Sequence, residues 1–216
     1  MNRAWVRKTK VRSPFFLLPL VFLSCSLSGR IPTVSDDRLE RLVREDAQRI
    51  LQVTRDRDAA ARYQILLSNF PRKDILGLSI GSRRIYISYD LAKRASENSW
   101  SRWQLRQTLA HEIAHEISGH ARGNATFNRS IQARGVAGED VGLPRRIQFN
   151  SYSTEKELEA DSGGMKYWRA LHWNCRIWVK ILEGFQEQNY SGDILHPTGA
   201  RLKQALKACP QAQPLS

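Results

Sequence analysis

The sequence predicts an α+β domain, mostly helical, with one small β-hairpin beside the helix that carries its chemistry. Three observations predict it. Apolar residues recur at helical spacing through residues 36–51, 101–118, 154–172, 174–188 and 198–208. One stretch, Asp74–Tyr89, changes to strand periodicity around a Gly-Ser turn. The length of 216 residues, with 41% hydrophobic and 25% charged, suits one globular domain with a short appendage. The same composition excludes a polytopic membrane protein, a collagen-like chain and a wholly disordered one, and three cysteines are too few for a disulfide scaffold.

Residues 1–25 stand apart. They carry Arg3, Arg7, Lys8, Lys10 and Arg12 with no acidic residue, then the apolar run Pro14–Leu23, then Ser24-Cys25-Ser26. This order of basic, apolar and small residues is that of a secretory signal, and the apolar run is too short to span a hydrocarbon core of ~30 Å comfortably. An uncleaved anchor or a buried N-terminal helix is the alternative. Phe22-Leu23-Ser24-Cys25 resembles a bacterial lipobox, in which the Cys becomes residue one and carries lipid, although Phe22 stands where Leu is usual. Conventional cleavage near Ser24 or Ser26 is the other outcome. Residues 26–35 read as a polar tether.

Of the formal net charge of +13, five units belong to that segment. The remaining excess is scattered, with Arg83-Arg84 and Arg145-Arg146 as its densest spots. Such a distribution suits a protein held near anionic lipid headgroups and gives no basic stripe for nucleic acid. With Cys25 set aside, Cys175 and Cys209 are an even pair in an oxidising compartment, either a disulfide or two buried thiols.

From Asp36, the positions Leu39, Leu42, Val43, Ala47, Ile50 and Leu51 form an amphipathic helix, and residues 56–62 a solvated charged face. Ile75–Ile80, Gly81-Ser82 and Arg84–Tyr89 make the hairpin. A helix over 101–118 opens on a Ser101/Gln104 capping box, buries Leu105, Leu109, Ile113 and Ile117, and stops at Gly119. Residues 121–150 read as a long loop, of the kind that often covers a site. Helices follow at 154–172 and 174–188, then a turn at Ser191–Asp193, a helix over 198–208 and a C-terminal tail over 209–216, frayed from Pro210. His172 and the tryptophans Trp168, Trp173 and Trp178 are expected in packing roles.

The chemistry lies in His111-Glu112-Ile-Ala-His115. On a helix, residues four apart lie about 40° apart around the axis and one turn along it, so both imidazoles can converge on one metal ion. Glu112 projects beside them, where it can take a proton from a metal-bound water, the His-Glu-x-x-His arrangement of zinc peptidases. Downstream, Glu157 and Asp161 share a helix face. One carboxylate there can complete a zinc site and the other can fix a ligand imidazole's tautomer. His120, past Gly119 and off the His111 face, reads as a terminal cap, and Glu116 and Glu159 as either solvated or facing the cleft.

These segments, with Gly164 and His196-Pro-Thr-Gly-Ala-Arg201, resemble the gluzincin metallopeptidases of the HtpX and CAAX-prenyl-protease type, nearest their short envelope lipoprotein members, over residues 36–208. The resemblance implies a zincin-like domain holding one Zn2+. His111, His115 and Glu157 are then the ligands, Glu112 the general base and Asp161 the partner of a ligand His. His196 caps the open zinc position or stabilises the oxyanion, and Arg201 assists. The chain departs from the family before Arg84, where Leu76-Gly-Leu-Ser replaces the usual Asn-Ala-Phe.

The expected activity is zinc-dependent endopeptidase action in the bacterial envelope, on unfolded or misassembled envelope proteins lying along the Arg84–Tyr89 edge. The chain would sit in the periplasm, tethered by lipid to the outer membrane, with no nucleic-acid partner. A chaperone-like assembly factor that cuts rarely or never is the alternative.

Overall fold

The computed structural model describes residues 31–70, 73–121, 152–187 and 198–210. The element order is β1 (Thr33–Val34), α1 (Asp37–Leu51), a 3-10 turn (Arg57–Arg62), β2 (Gln64–Ser68), β3 (Gly77–Ser79), β4 (Arg84–Ser88), α2 (Tyr89–Glu97), α3 (Ser99–Ser118), α4 (Thr154–Ala170), α5 (Cys175–Glu187) and α6 (Thr198–Ala208). The protein is mostly helical with a small mixed sheet of four strands. Cys25, His196, the 121–150 loop beyond Ala121, and the 191–193 turn lie outside the described residues. Among the described residues no helix is long and apolar enough to cross a membrane.

The helix α3 is the centre of the fold. Leu105, Leu109 and Ile113 are fully buried on one face, and Thr108, His111, Glu112 and His115 are buried on another. A helix enclosed on all sides needs few solvated residues, which is why its apolar stripe is only part of its buried surface. It packs against α1 and α2 on one side, α4 on another, and β3 along the face that carries Thr108 and Glu112. Asp46, 1% exposed on α1, ties the first contact by accepting from Arg102 and Arg106 of α3. The Arg106 guanidinium also lies 4.5 Å from the Trp103 ring centroid, within a cluster that includes Trp168, Trp173 and Trp178. His172 ends this region at φ 57° on the surface.

The α3–α4 crossing is close because small residues meet there. A Cβ on Gly164 would lie 3.3 Å from the Ala110 carbonyl oxygen and 2.6 Å from Trp178, and one on Gly163 would lie 3.0 Å from the Ala114 Cβ. Glycine at both positions lets α4 approach α3 until Glu157 and Asp161 reach the histidines.

In the sheet the order is β1-β2-β4-β3. The 75–89 hairpin forms, with β3 antiparallel to β4, but β4 is an interior strand. Gln64–Ser68, a short apolar run unread in the sequence, pairs with it in parallel on the other side. Arg84–Tyr89 is therefore not an edge, and among the described residues the edge strand beside α3 is β3. Thr33-Val34 of the expected tether pairs with β2, where Ser68 Oγ also donates to the Pro32 carbonyl.

Other boundaries move for local reasons. The α3 helix begins at Ser99, not Ser101, because Asn98 at φ −145° ends the unread helix α2 and accepts from Ser101 N at 2.8 Å. Residues 57–62 wind into a 3-10 turn that buries Ala59 and Ala60, so this stretch is not wholly a solvated face. At its other end α3 stops on Gly119 at φ 74°, and Arg55 donates to the Ile117 carbonyl. Of the two readings of the cysteine pair the disulfide holds: Cys209, first residue of the tail, is fully buried and bonded to Cys175 with a Cα–Cα distance of 5.8 Å, joining α5 to α6.

Candidate metal centre

Burial of His111, Glu112 and His115 follows from their place on α3, where the face they share meets α4 and β3. The His111 and His115 Nε2 atoms lie 3.0 Å apart. Glu157, fully buried on α4, brings Oε2 to 3.2 Å from His111 Nε2 and Oε1 to 3.4 Å from His115 Nε2. One ligand atom from each of the three lies within 4.8 Å of the others, so this buried cluster can hold a metal ion. Two imidazole nitrogens and a carboxylate oxygen are a donor set that suits zinc and leaves room for a further ligand.

The other ring nitrogens are engaged behind the cluster. His111 Nδ1 is 2.8 Å from Asp161 Oδ1. Asp161 in turn accepts from Arg201, at 2.6 Å from Nε to Oδ2 and 2.8 Å from Nη2 to Oδ1. Arg201, expected only to assist beside His196, commits its planar fork to Asp161, and its Nη2 lies 3.3 Å from His111 Nδ1. This is an outer shell that orients a ligand, with both charges buried and paired.

His115 Nδ1 meets His120 Nδ1 at 2.9 Å, and His120 Nε2 meets Glu159 Oε2 at 3.1 Å. His120 is therefore the partner of His115, against the expectation of a helix cap, and Glu159 reaches His120 while staying solvent-exposed as expected. The left-handed turn at Gly119 folds the chain back, so ideal-helix geometry did not apply to His120. Its nearness in sequence was the signal available. Glu159 stays largely exposed, and its pKa is lowered by the hydrogen bond to His120.

The electrostatics divide the two ligand histidines. Burial pushes His115 down to about 3, and neighbouring His111 adds to the effect, so its imidazole is neutral. For His111, burial and Arg201 oppose the charged form, but hydrogen bonds to Asp161 and Glu157 outweigh them and hold it at about 9. Burial opposes the charged form of Asp161 too, yet the Arg201 guanidinium holds the carboxyl well below its usual range.

On the opposite side, β3 closes over Glu112. Ser79 N donates to Glu112 Oε2 at 2.7 Å, Ser79 Oγ donates to Glu116 Oε2 at 2.9 Å, and Arg83 N donates to Glu116 Oε1 at 2.8 Å. Glu116 is thus buried and anchors the hairpin rather than facing solvent. Gly77 is the close contact, since a Cβ there would lie 2.7 Å from Thr108 Cγ2 and 2.9 Å from Glu112 Cγ. Tyr152, unread in the sequence, stacks on His115 with ring centroids 4.1 Å apart, and its hydroxyl donates to the Ser79 carbonyl at 3.0 Å. A cavity beside His111 and Glu112 is bounded by Leu76, Gly77, Gln107 and Phe185.

A scan against protein-family models and a search of curated proteins return no match for this chain.

Proposed function

We propose that the protein is a zincin-like, zinc-dependent endopeptidase of the bacterial envelope. One observation carries the reading. A His-His-Glu donor cluster is buried beside a carboxylate, Glu112, that meets the outer strand of the sheet, β3. His111, His115 and Glu157 would hold the ion, which when bound polarises a scissile carbonyl and acidifies water.

The chain's own residues supply the rest. Asp161 and Arg201 fix the His111 ring, and His120 fixes that of His115. Glu112 is placed to receive a proton from water and to pass it to the departing amine nitrogen. An extended peptide fits along β3 by main-chain pairing, which favours unfolded or misassembled envelope proteins. Its Ser79 N–H and carbonyl are engaged by Glu112 and Tyr152, so a peptide must displace those contacts to pair there.

That occupied edge favours a second reading, a chaperone-like envelope assembly factor with little or no proteolysis. The envelope location and the lipid tether rest on residues 1–25, through the basic and apolar segments and Cys25.

The test is metal content together with casein cleavage by the wild type and Glu112→Gln. Stoichiometric zinc, with cleavage abolished by the substitution, is the expected result. A pure protein that takes up no zinc, or cleavage that survives in Glu112→Gln, sinks the assignment. An inert, zinc-loaded wild type whose Glu112→Gln variant still rescues a deletion phenotype identifies the assembly factor.

A further inference from the structure

Trp178 is fully buried on α5, and its indole Nε1 has no hydrogen-bond partner among the described residues. A buried tryptophan normally matches that N–H, because an unmatched donor loses its bonds to water and gains none in return. Trp168 does so, donating to the Asn174 carbonyl at 2.9 Å. The Trp178 indole instead lines a cavity of about 230 Å3 between α4 and α6. The Arg201–Asp161 pair separates this cavity from the one beside His111 and Glu112, since Arg201 lines that one and Asp161 lines this one.

The lining selects what can enter. Met165 of α4 and two alanines one turn apart on α6, Ala205 and Ala208, are apolar walls beside the indole. Lys166 and Arg169 are exposed at the rim, and neither is in an ion pair among the described residues. Ser162 Oγ accepts from Gln204 Nε2 at 3.0 Å, which leaves its own hydrogen to donate. The carboxylate in the lining, Asp161, is already matched by Arg201. No acid follows Asp161 on α4, and α6 carries none. An entering cation would therefore meet like charge, whereas an anion meets two cations and further donors. The volume exceeds the ~150 Å3 of an apolar cavity that admits benzene, so one ring or a short alkyl chain fits.

We propose that this cavity is a second binding site, for a small monocarboxylate with an apolar body. The body packs against Met165, Ala205 and Ala208. A carboxylate oxygen accepts from Trp178 Nε1, and Lys166 and Arg169 supply the countercharge. Binding here requires neither a metal ion nor hydrolysis.

The test uses the purified protein, isotope-labelled at its indole nitrogens, and three probes. Hexanoate has both charge and body, hexanamide keeps the body and the carbonyl oxygen without the charge, and acetate keeps the charge without the body. Trp178→Phe identifies the Trp178 signal in a proton–nitrogen correlation spectrum. Hexanoate is expected to shift that signal saturably, with hexanamide and acetate at least about tenfold weaker. Lys166→Ala combined with Arg169→Ala is expected to weaken hexanoate by about tenfold and to leave hexanamide unchanged. Ala208→Leu, which fills the cavity from a half-buried position, is expected to remove the response. A Trp178 signal that no probe moves overturns the proposal. So does equal affinity for hexanoate and hexanamide, or a hexanoate affinity that either variant leaves intact. If Ala208→Leu does not fold, the double variant, changed only at exposed side chains, decides.

Discussion

The Ser79 backbone N–H donates to Glu112 Oε2 at 2.7 Å, which fastens the edge strand to the helix that carries His111 and His115. The contact depends on Gly77, two residues earlier, having no side chain. Edge strand, carboxylate and metal cluster thus form one mechanical unit, and disturbing the strand should be felt at the centre.

Gly77→Ala is the direct disturbance. Its Cβ would meet Thr108 and Glu112 at under 3 Å, so β3 must move outward. A stability loss of about 1–3 kcal/mol is expected, from overpacking, with reduced casein cleavage. Urea unfolding and the cleavage assay check it, and a variant as stable and active as the wild type contradicts this account of the strand.

Asp161→Asn removes the partner of a guanidinium only 5% exposed. Leaving that charge buried should cost roughly 3–5 kcal/mol, and metal affinity should fall by about 10–100-fold. Because the Asp161 pKa is depressed, its contribution is present above the ordinary carboxylate pKa and is lost as pH falls below it. Acid titration of stability should accordingly be flatter in Asp161→Asn than in the wild type; equal slopes would remove Asp161 from the explanation.

Metal uptake should release one proton near pH 7. His111, held at about 9, carries that proton in the metal-free protein, whereas His115, at about 3, carries none. Calorimetry of zinc binding in buffers of different ionisation enthalpy reads the number directly, and a value of zero refutes it. The sign for metal-free stability follows. The His111 contribution is complete below the ordinary His pKa and is lost as pH rises through about 9, so the metal-free Tm should decline over that window.

Tyr152→Phe keeps the ring on His115 but removes the hydroxyl from the Ser79 carbonyl. The expected cost is about 1 kcal/mol of stability, accompanied by a higher kcat/KM on peptides because the edge carbonyl is open. A lower kcat/KM with unchanged Tm would show that the hydroxyl aids turnover instead.

Replacing Cys175 and Cys209 with Ser tests the remote end of the site. The bridge spans a sequence separation of 34 residues and ties α6, which carries Arg201, to α5. Its loss should cost roughly 3–4 kcal/mol and loosen the hold on Asp161. Thermal melts and zinc titrations of the double variant check both effects.

Much of this was legible in the sequence because its determinants are local. Helical periodicity gave α1, α4, α5 and α6 within a few residues, and the i, i+4 spacing put His111 beside His115 and Glu157 beside Asp161. The outer contacts were less legible. His120 was assigned by ideal-helix geometry that the Gly119 turn cancels, and Glu116 looked solvated because its partners, Ser79 and Arg83, lie more than 30 residues away. Tyr152 carries no spacing signal, and its role follows from the His115 ring and the Ser79 carbonyl that it packs against.

By itself the sequence determined the helical character of the protein, its hairpin and which residues could act as metal donors. Turn chemistry, periodicity and residue type are properties of neighbouring residues, so a linear reading reaches them. The tertiary structure decided that α4 comes close enough to α3 to bring Glu157 to both histidines, through Gly163 and Gly164 against Ala110 and Ala114. It also decided that β3 rather than β4 is the edge strand among the described residues, because β2 pairs on the other side of β4, and that Arg201 serves Asp161. Those outcomes depend on the approach distance of elements far apart in the chain, which packing sets and spacing does not encode.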